Sequence, residues 1–346
     1  MGRYILRRLI GVVAVLIVIS IITFGIFFLV PADPALKACG KGCNPERLAE
    51  IRKNYGLDKP IFPISLSEKN FGFYPDPEDS QFGRFGKAIF FGRDYRDNGD
   101  DRHCDVPCLG YSFVSGVPVT DDLVDRLPVT FSIAIGAAAI WLVAGVSTGI
   151  LSALRKGTFF DRFAMTVALA GVSLPVYFTG LVVLTVFSFR NQIFELPAYH
   201  DFTDNPFLWA KGLWIPWVVL AFLFAALYAR LTRANMLDTM GEDYIRTARA
   251  KGLPESRVIA KHGLRAALTP IVTIFGLDLG GLLGGAIISE KLFNLPGLGA
   301  YAIDAIGNEN LPAVLGTTLV AAFFIVMANL VVDVLYAFVD PKVSYS

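Results

Sequence analysis

Few residues of this chain sit where they could do chemistry. Four cysteines form two Cys-x-x-x-Cys pairs, Cys39 with Cys43 and Cys104 with Cys108. Such pairs can oxidise to disulfides or, with His103 beside Cys104, hold a soft metal ion. His103, His200 and His262 are scattered, so no His-Glu-x-x-His zinc pair arises. Gly145, Ser147 and Gly149 have Gly-x-Ser-x-Gly spacing but lie inside an apolar stretch, not at the strand-to-helix turn that presents a serine nucleophile. Gly86 and Lys87 are followed by Ala88 and lack the earlier glycine of a phosphate-binding loop. The chain therefore carries no recognisable motif for holding ATP. One carboxylate, Asp278, lies near the middle of an apolar stretch. There it either bonds a neighbouring helix or water as a structural group, or faces a cavity and meets a cationic group on cargo.

The elements that must position these residues are membrane elements. Of 346 residues, 54% are hydrophobic and only 18% charged, with a mean hydropathy of +0.54. Six apolar stretches are long enough to cross a bilayer, at 9–30, 129–154, 163–189, 213–231, 269–289 and 311–338. The first follows Arg3, Arg7 and Arg8 as a signal peptide would. Its apolar run is about twice a signal core, and no small-residue cleavage site closes it, so it reads as a retained helix. Pro175, inside the third stretch, removes a backbone bond and predicts a kink.

Lysine and arginine set the orientation. Arg3, Arg7 and Arg8 precede the first span, and Arg155, Lys156 and Arg162 lie between the second and third. Arg230, Arg233, Arg246, Arg249, Lys251, Arg257, Lys261 and Arg265 lie between the fourth and fifth. The opposite short loops hold only Arg190, Lys211 and Lys291. The basic face is expected in the cytoplasm, with both termini and the polar segment 232–268.

Three regions follow: a cytoplasmic N-terminus and first span (1–30), an extracytoplasmic segment (31–128) and a core of five spans (129–346). In the outer segment, Asn44 and Pro45 read as a helix start, with Leu48, Ile51 and Tyr55 as its apolar stripe and Gly56 as its end. Residues from Val119 read as a second short helix ending before Pro128. The stretch 69–116 resists assignment. All four cysteines lie in this segment, on the oxidising side, which favours disulfides; four cysteines allow three pairings, and sequence does not choose. Either way the cysteines read as stabilising, not catalytic.

Span five carries Gly276, Gly280 and Gly284, spaced so that another helix can approach closely, within the chain or at a subunit interface. The segment just before it is the most distinctive. Glu242 and Asp243 stand at a helix start, where negative charge is favoured. Tyr244, Ala248 and Gly252 follow at four-residue intervals on one face, and Gly252 with Pro254 ends that helix and starts a second, over 254–268. The residues alone leave two readings level: an elbow that docks in a protein groove, or an amphipathic loop lying on anionic lipid.

Residues 244–253 (Tyr244, Ile245, Arg246, Thr247, Ala248, Arg249, Ala250, Lys251, Gly252, Leu253), followed by His262 through Pro270, resemble the coupling-helix signature of ABC-importer permeases. More narrowly, the chain resembles the first (B-type) permease subunit of oligopeptide, dipeptide and nickel importers. Arg3 to Arg8, Tyr55 to Pro60, Pro118 to Thr120, Arg126 to Pro128, Phe293 to Gly299 and Asp340 with Pro341 carry the resemblance along nearly the whole chain. The general signature has Glu-Ala-Ala where this chain has Arg246, Thr247 and Ala248, and Leu-Pro where it has Leu264 and Arg265; both departures are typical of the peptide branch. The long outer segment with its cysteines is a larger departure.

The resemblance implies an all-α polytopic protein of six transmembrane helices with the type I ABC-importer permease fold, in a bacterial or archaeal cytoplasmic membrane. It implies a non-catalytic subunit that imports peptides, with nickel or another chelated solute as the alternative cargo. A carrier driven by an ion gradient is the alternative of another class, disfavoured by the scarcity of buried charge. The implied partners are a second permease subunit, two cytoplasmic ATPase subunits or domains that hold ATP and Mg, and an extracytoplasmic solute-binding protein. This chain itself is expected to bind no cofactor, no metal and no nucleic acid. Glu242, Asp243, Tyr244, Arg246, Ala248, Arg249 and Gly252 are the implied ATPase-coupling residues, with Tyr244 and Ala248 on the contact face.

Overall fold

The described residues of the computed structural model are 2–29, 34–39, 43–55, 57–62, 64–67, 70–73, 80–97, 100–112 and 114–339. Gly56, Asp340 and Pro341 lie outside them. In chain order the elements begin with α1 (Gly2–Leu29), α2 (Pro34–Cys39), α3 (Pro45–Tyr55), strands β1 (Ile64–Ser67) and β2 (Asn70–Phe73), and α4 (Gln81–Phe91). Strands β3 (Arg93–Asp97) and β4 (Asp100–Cys104) follow, then α5 (Val119–Trp141), which passes through a π-helical segment Leu142–Val146 into α6 (Ser147–Leu154). Next come α7 (Phe159–Ser173), α8 (Val176–Val183) with a π-helical end at Leu184–Arg190, and α9 (Pro206–Gly241). The chain closes with α10 (Asp243–Ala250), α11 (Glu255–Arg257), a π-helical segment Val258–Gly263, α12 (Leu264–Leu283), α13 (Ile287–Leu292), α14 (Leu298–Gly307) and α15 (Leu311–Val339).

Five stretches are long and apolar enough to cross a membrane: Arg7–Ile26, Val119–Leu154, Pro206–Gly241, Glu255–Leu283 and Leu311–Val332. The bent pair Phe159–Ser173 and Val176–Arg190 makes a sixth if it is one span. Its bend is 102°, so Pro175 breaks the helix rather than kinking it. The cause is local: Leu174, forced out of the helical region by the following proline, is extended at φ −92° and ψ 123°. Elsewhere helices run further than the sequence suggests. The helix from Val119 does not stop at Pro128 but continues to Trp141, and the expected helix over 254–268 does not end before span five but runs on into it. That span ends at Leu283, not near residue 289.

The chain divides into two compact units. One comprises Gly2–Pro128 with Leu298–Phe323. In it Asn44 caps α3, its Oδ1 accepting from the Arg47 amide at 2.7 Å. The stretch that resisted assignment holds β2, which pairs antiparallel with β1 just before it, the amphipathic α4 and the antiparallel hairpin β3–β4. Disulfides join Cys39 to Cys43 and Cys104 to Cys108, so each Cys-x-x-x-Cys pair closes on itself. Cys104 and Cys108 are fully buried in a small core with Tyr95 and Tyr111, whose rings stack at 5.3 Å. The exposed His103 bridges the Asp94 carboxylate at 2.6 Å, and this hydrogen bond holds its pKa above the ordinary histidine value. Asp122, buried, accepts from Ser115 Oγ at 2.7 Å and Tyr301 Oη at 2.8 Å, fastening α14 to the start of α5.

The other unit comprises Val129–Gly297 with Phe324–Ser346. Its core surrounds Trp141, fully buried and stacked on Phe224 of α9 at 4.6 Å. On α12, Gly276 and Gly280 face α15: a Cβ at Gly276 would overlap Val332, and one at Gly280 would lie 2.5 Å from the Ala328 Cβ. In a membrane, where lipid is as apolar as a side chain, such close packing is what binds helices together. The third glycine does not belong to this seam: Gly284 is the cap residue where α12 ends.

Candidate functional site

The polar elbow is built at the end of the 36-residue α9. Glu242, at φ −69° and ψ 150°, leaves that helix and starts α10, so its charge and that of Asp243 stand at the helix N-terminus. α10 ends in a Schellman motif: the Gly252 amide bonds the Arg249 carbonyl at 2.9 Å, and the Leu253 amide bonds the Ala248 carbonyl at 3.4 Å. The motif requires a left-handed residue, and Gly252 supplies it at φ +74° with no atom within 4 Å of where a Cβ would be. Pro254 then precedes the long helix that begins at Glu255. Arg249 spans the turn and grips Glu255 with two hydrogen bonds, 3.1 and 2.7 Å.

The face of α10 differs from the expectation. Tyr244 is exposed, but Ala248 is buried, 7% exposed, against Ile245 and Val258. On a helical wheel Ala248 lies between Tyr244 and Ile245, and the fully buried Ile245 draws it inward. Ile245 is thus the anchor that seats α10, together with Val258, Leu253 and Met240. It was legible as the only large aliphatic residue among 243–250. The outward face consists of Tyr244, Arg246, Thr247, Lys251 and Gly252, with Arg246 paired to Asp243 at 3.3 Å.

A second polar assembly braces α7 against α9. Asp161, 3% exposed, takes two hydrogen bonds from Arg233, 2.6 and 2.8 Å, one from the Gly157 amide at 2.9 Å and one from Ser152 Oγ. A bidentate pair with its remaining lone pairs satisfied is the geometry in which a buried ion pair is tolerated. Nothing in the local spacing announces it, since 72 residues separate the partners.

Asp278, five residues before the end of α12, accepts a hydrogen bond from Tyr228 Oη at 2.8 Å. Tyr228 is fully buried, whereas Asp278 is only half-buried. The elbow residues thus come together as one piece; Asp278 is a separate feature on the same long helix, 255–283. Among the described residues no group of three or more His, Cys, Asp or Glu could hold a metal ion.

Residues 145–345 match the family described as binding-protein-dependent transport system inner membrane component, and residues 1–134 match the N-terminal domain of such membrane components. The chain is 32% identical over 371 residues to the dipeptide transport system permease protein DppB of Escherichia coli (strain K12), covering 100% of this chain and 99% of that protein. It is 34% identical over 345 residues to the glutathione transport system permease protein GsiC of Pectobacterium atrosepticum, covering 100% of both. Among solved structures, the inward-facing MetNI methionine ABC transporter is similar with a TM-score of 0.49 and 18% identity, covering 64% of this chain and 97% of that one.

Proposed function

This chain belongs to the family of inner membrane components of binding-protein-dependent transport systems and is a permease subunit of an ABC importer; from that premise we propose that its cargo is a peptide and that the elbow 242–254 is where ATP hydrolysis is coupled to transport. Relatives named for dipeptide and glutathione transport, matched along their full length, support the cargo. The observation that carries the coupling role is the elbow's construction. Its turn is fixed by the Schellman motif and the Arg249–Glu255 bridge, while its outer face is left polar and exposed. A preformed, exposed elbow docks with little loss of conformational freedom.

The elbow sits in a groove on one cytoplasmic ATPase subunit, with both chain termini on the same side. A second permease completes the pathway, and an extracytoplasmic binding protein delivers the peptide. ATP binding draws the ATPases together, moves the elbow and turns the permease pair outward; hydrolysis restores the inward-facing state. The chain contributes no group to hydrolysis. The outer segment with its two disulfides stabilises the extracytoplasmic face.

The test is Gly252→Arg in the complete complex in proteoliposomes. ATP-driven uptake of dialanine is expected to fall while ATP hydrolysis continues and the permeases remain assembled. Unchanged uptake per ATP hydrolysed would refute the coupling role. Absence of peptide uptake by the unsubstituted complex would refute the cargo.

A further inference from the structure

We propose that Asp278 is the site at which the permease receives the ammonium group of its cargo. This rests on the peptide reading given above. Asp278 lies within the apolar α12, five residues before its C-terminal end at Leu283. Its hydrogen bond among the described residues is the one accepted by Oδ2 from Tyr228. Tyr228 is a neutral donor, so it orients the carboxylate and leaves its charge unbalanced. Arg233, on the same helix as Tyr228, is bound to Asp161.

The surroundings say which way the carboxylate opens. Asp278 does not face α15, because that side of α12 is the glycine seam of Gly276 and Gly280. One turn on from Asp278, Gly281 is exposed and has open space where a Cβ would be. The carboxylate is therefore held on one side by a buried tyrosine and bordered on the other by bare backbone. Ionisable groups within membrane spans almost always face a bundle interior or a water-filled cavity rather than lipid, and the open side of Asp278 is read accordingly. Trp141, fully buried, packs beside Tyr228 with ring centroids 6.2 Å apart. The cluster is thus an oriented carboxylate that lacks a cation, beside a backbone strip with room for one. A free α-ammonium group, present on every unblocked peptide whatever its side chains, matches that chemistry.

The experiment uses the complete complex in proteoliposomes with Asp278→Asn and Asp278→Glu. Dialanine and N-acetyl-dialanine are each supplied at concentrations that saturate the binding protein. Asp278→Asn is expected to lower dialanine uptake about tenfold, as loss of one charge-assisted hydrogen bond does. Uptake of the acetylated peptide is expected to stay the same or rise, and Asp278→Glu is expected to restore the preference for the free amine. An equal effect on both peptides, or a parallel loss of assembly, would assign Asp278 a structural or intersubunit role and overturn the proposal. If the unsubstituted complex imports neither peptide, the peptide reading fails, and this proposal with it; that outcome is separate, because it appears before any substitution.

Discussion

Replacing Gly276 with alanine probes the glycine seam at a single atom. The added Cβ would overlap the Cγ2 methyl of Val332, whereas the next contacts, the Val332 Cβ at 3.3 Å and the Ala328 carbonyl oxygen at 3.8 Å, can be accommodated. One methyl therefore carries nearly the whole clash. Overpacking of this kind costs ~1–3 kcal/mol. Val332→Ala alone costs ~1 kcal/mol, because inside a membrane lost dispersion contacts are felt and little hydrophobic transfer is. In the double variant the obstructing methyl is gone, so its stability should approach that of Val332→Ala alone. The coupling energy should then be ~1–3 kcal/mol in favour of the pair. Reversible unfolding of the four purified proteins in mixed detergent micelles measures it. Additivity within ~0.5 kcal/mol would show that α12 and α15 do not meet through these two residues.

Ile245→Ala should release α10 from its seat, at ~2–5 kcal/mol of local stability, read as faster amide hydrogen exchange over 243–258 with the spans unchanged. At Gly252, asparagine should preserve coupling better than valine, because the site demands a left-handed backbone and not an absence of bulk; equal damage would place the constraint on the docking surface alone. Asp161→Ala should destabilise the chain by ~3–5 kcal/mol by stranding Arg233, and adding Arg233→Met should recover much of that loss, both measured by thermal unfolding. His103 should add pH dependence to the outer hairpin. Its raised folded pKa means that its contribution is full below the ordinary value of about 6.5 and is lost as pH rises through the folded value. A pH series of melting temperatures that is the same for His103→Asn and the unsubstituted chain would refute this.

Long-period signals in the sequence were sound guides, and local breakers were not. Apolar length located the spans because a bilayer imposes length. Proline misled in both directions: Pro128 and Pro270 lie inside unbroken helices, while Pro175 splits one. At Pro175 the residue before it, Leu174, leaves the helical region, whereas Pro128 and Pro270 are accommodated without a break. At the elbow, the cap and turn were legible from Gly252 and Pro254, since those residues act locally. The face was not, because spacing alone cannot tell that Ile245 outweighs Tyr244 for the interior. Gly145 and Gly149, at the spacing that drew attention to Gly276 and Gly280, meet α9 just as closely: their Cβ positions would lie 2.9 Å from the Ala225 carbonyl oxygen and 2.6 Å from that of Ala229. The Asp161–Arg233 pair had no local signature at all.

The helix that leaves the elbow runs from Glu255 to Leu283 without interruption, so the elbow and Asp278 are two points on one beam. At 1.5 Å per residue they stand about 35 Å apart along its axis. A tilt of about 5° about the turn at Gly252 and Pro254 would carry the far point sideways by about 3 Å, the length of a hydrogen bond. A displacement small enough to arise from the closing of a groove is thus large enough, at the other end, to make or break a contact with a bound ammonium group. Leverage of this kind needs no relay of side chains; it needs a fulcrum and a stiff arm.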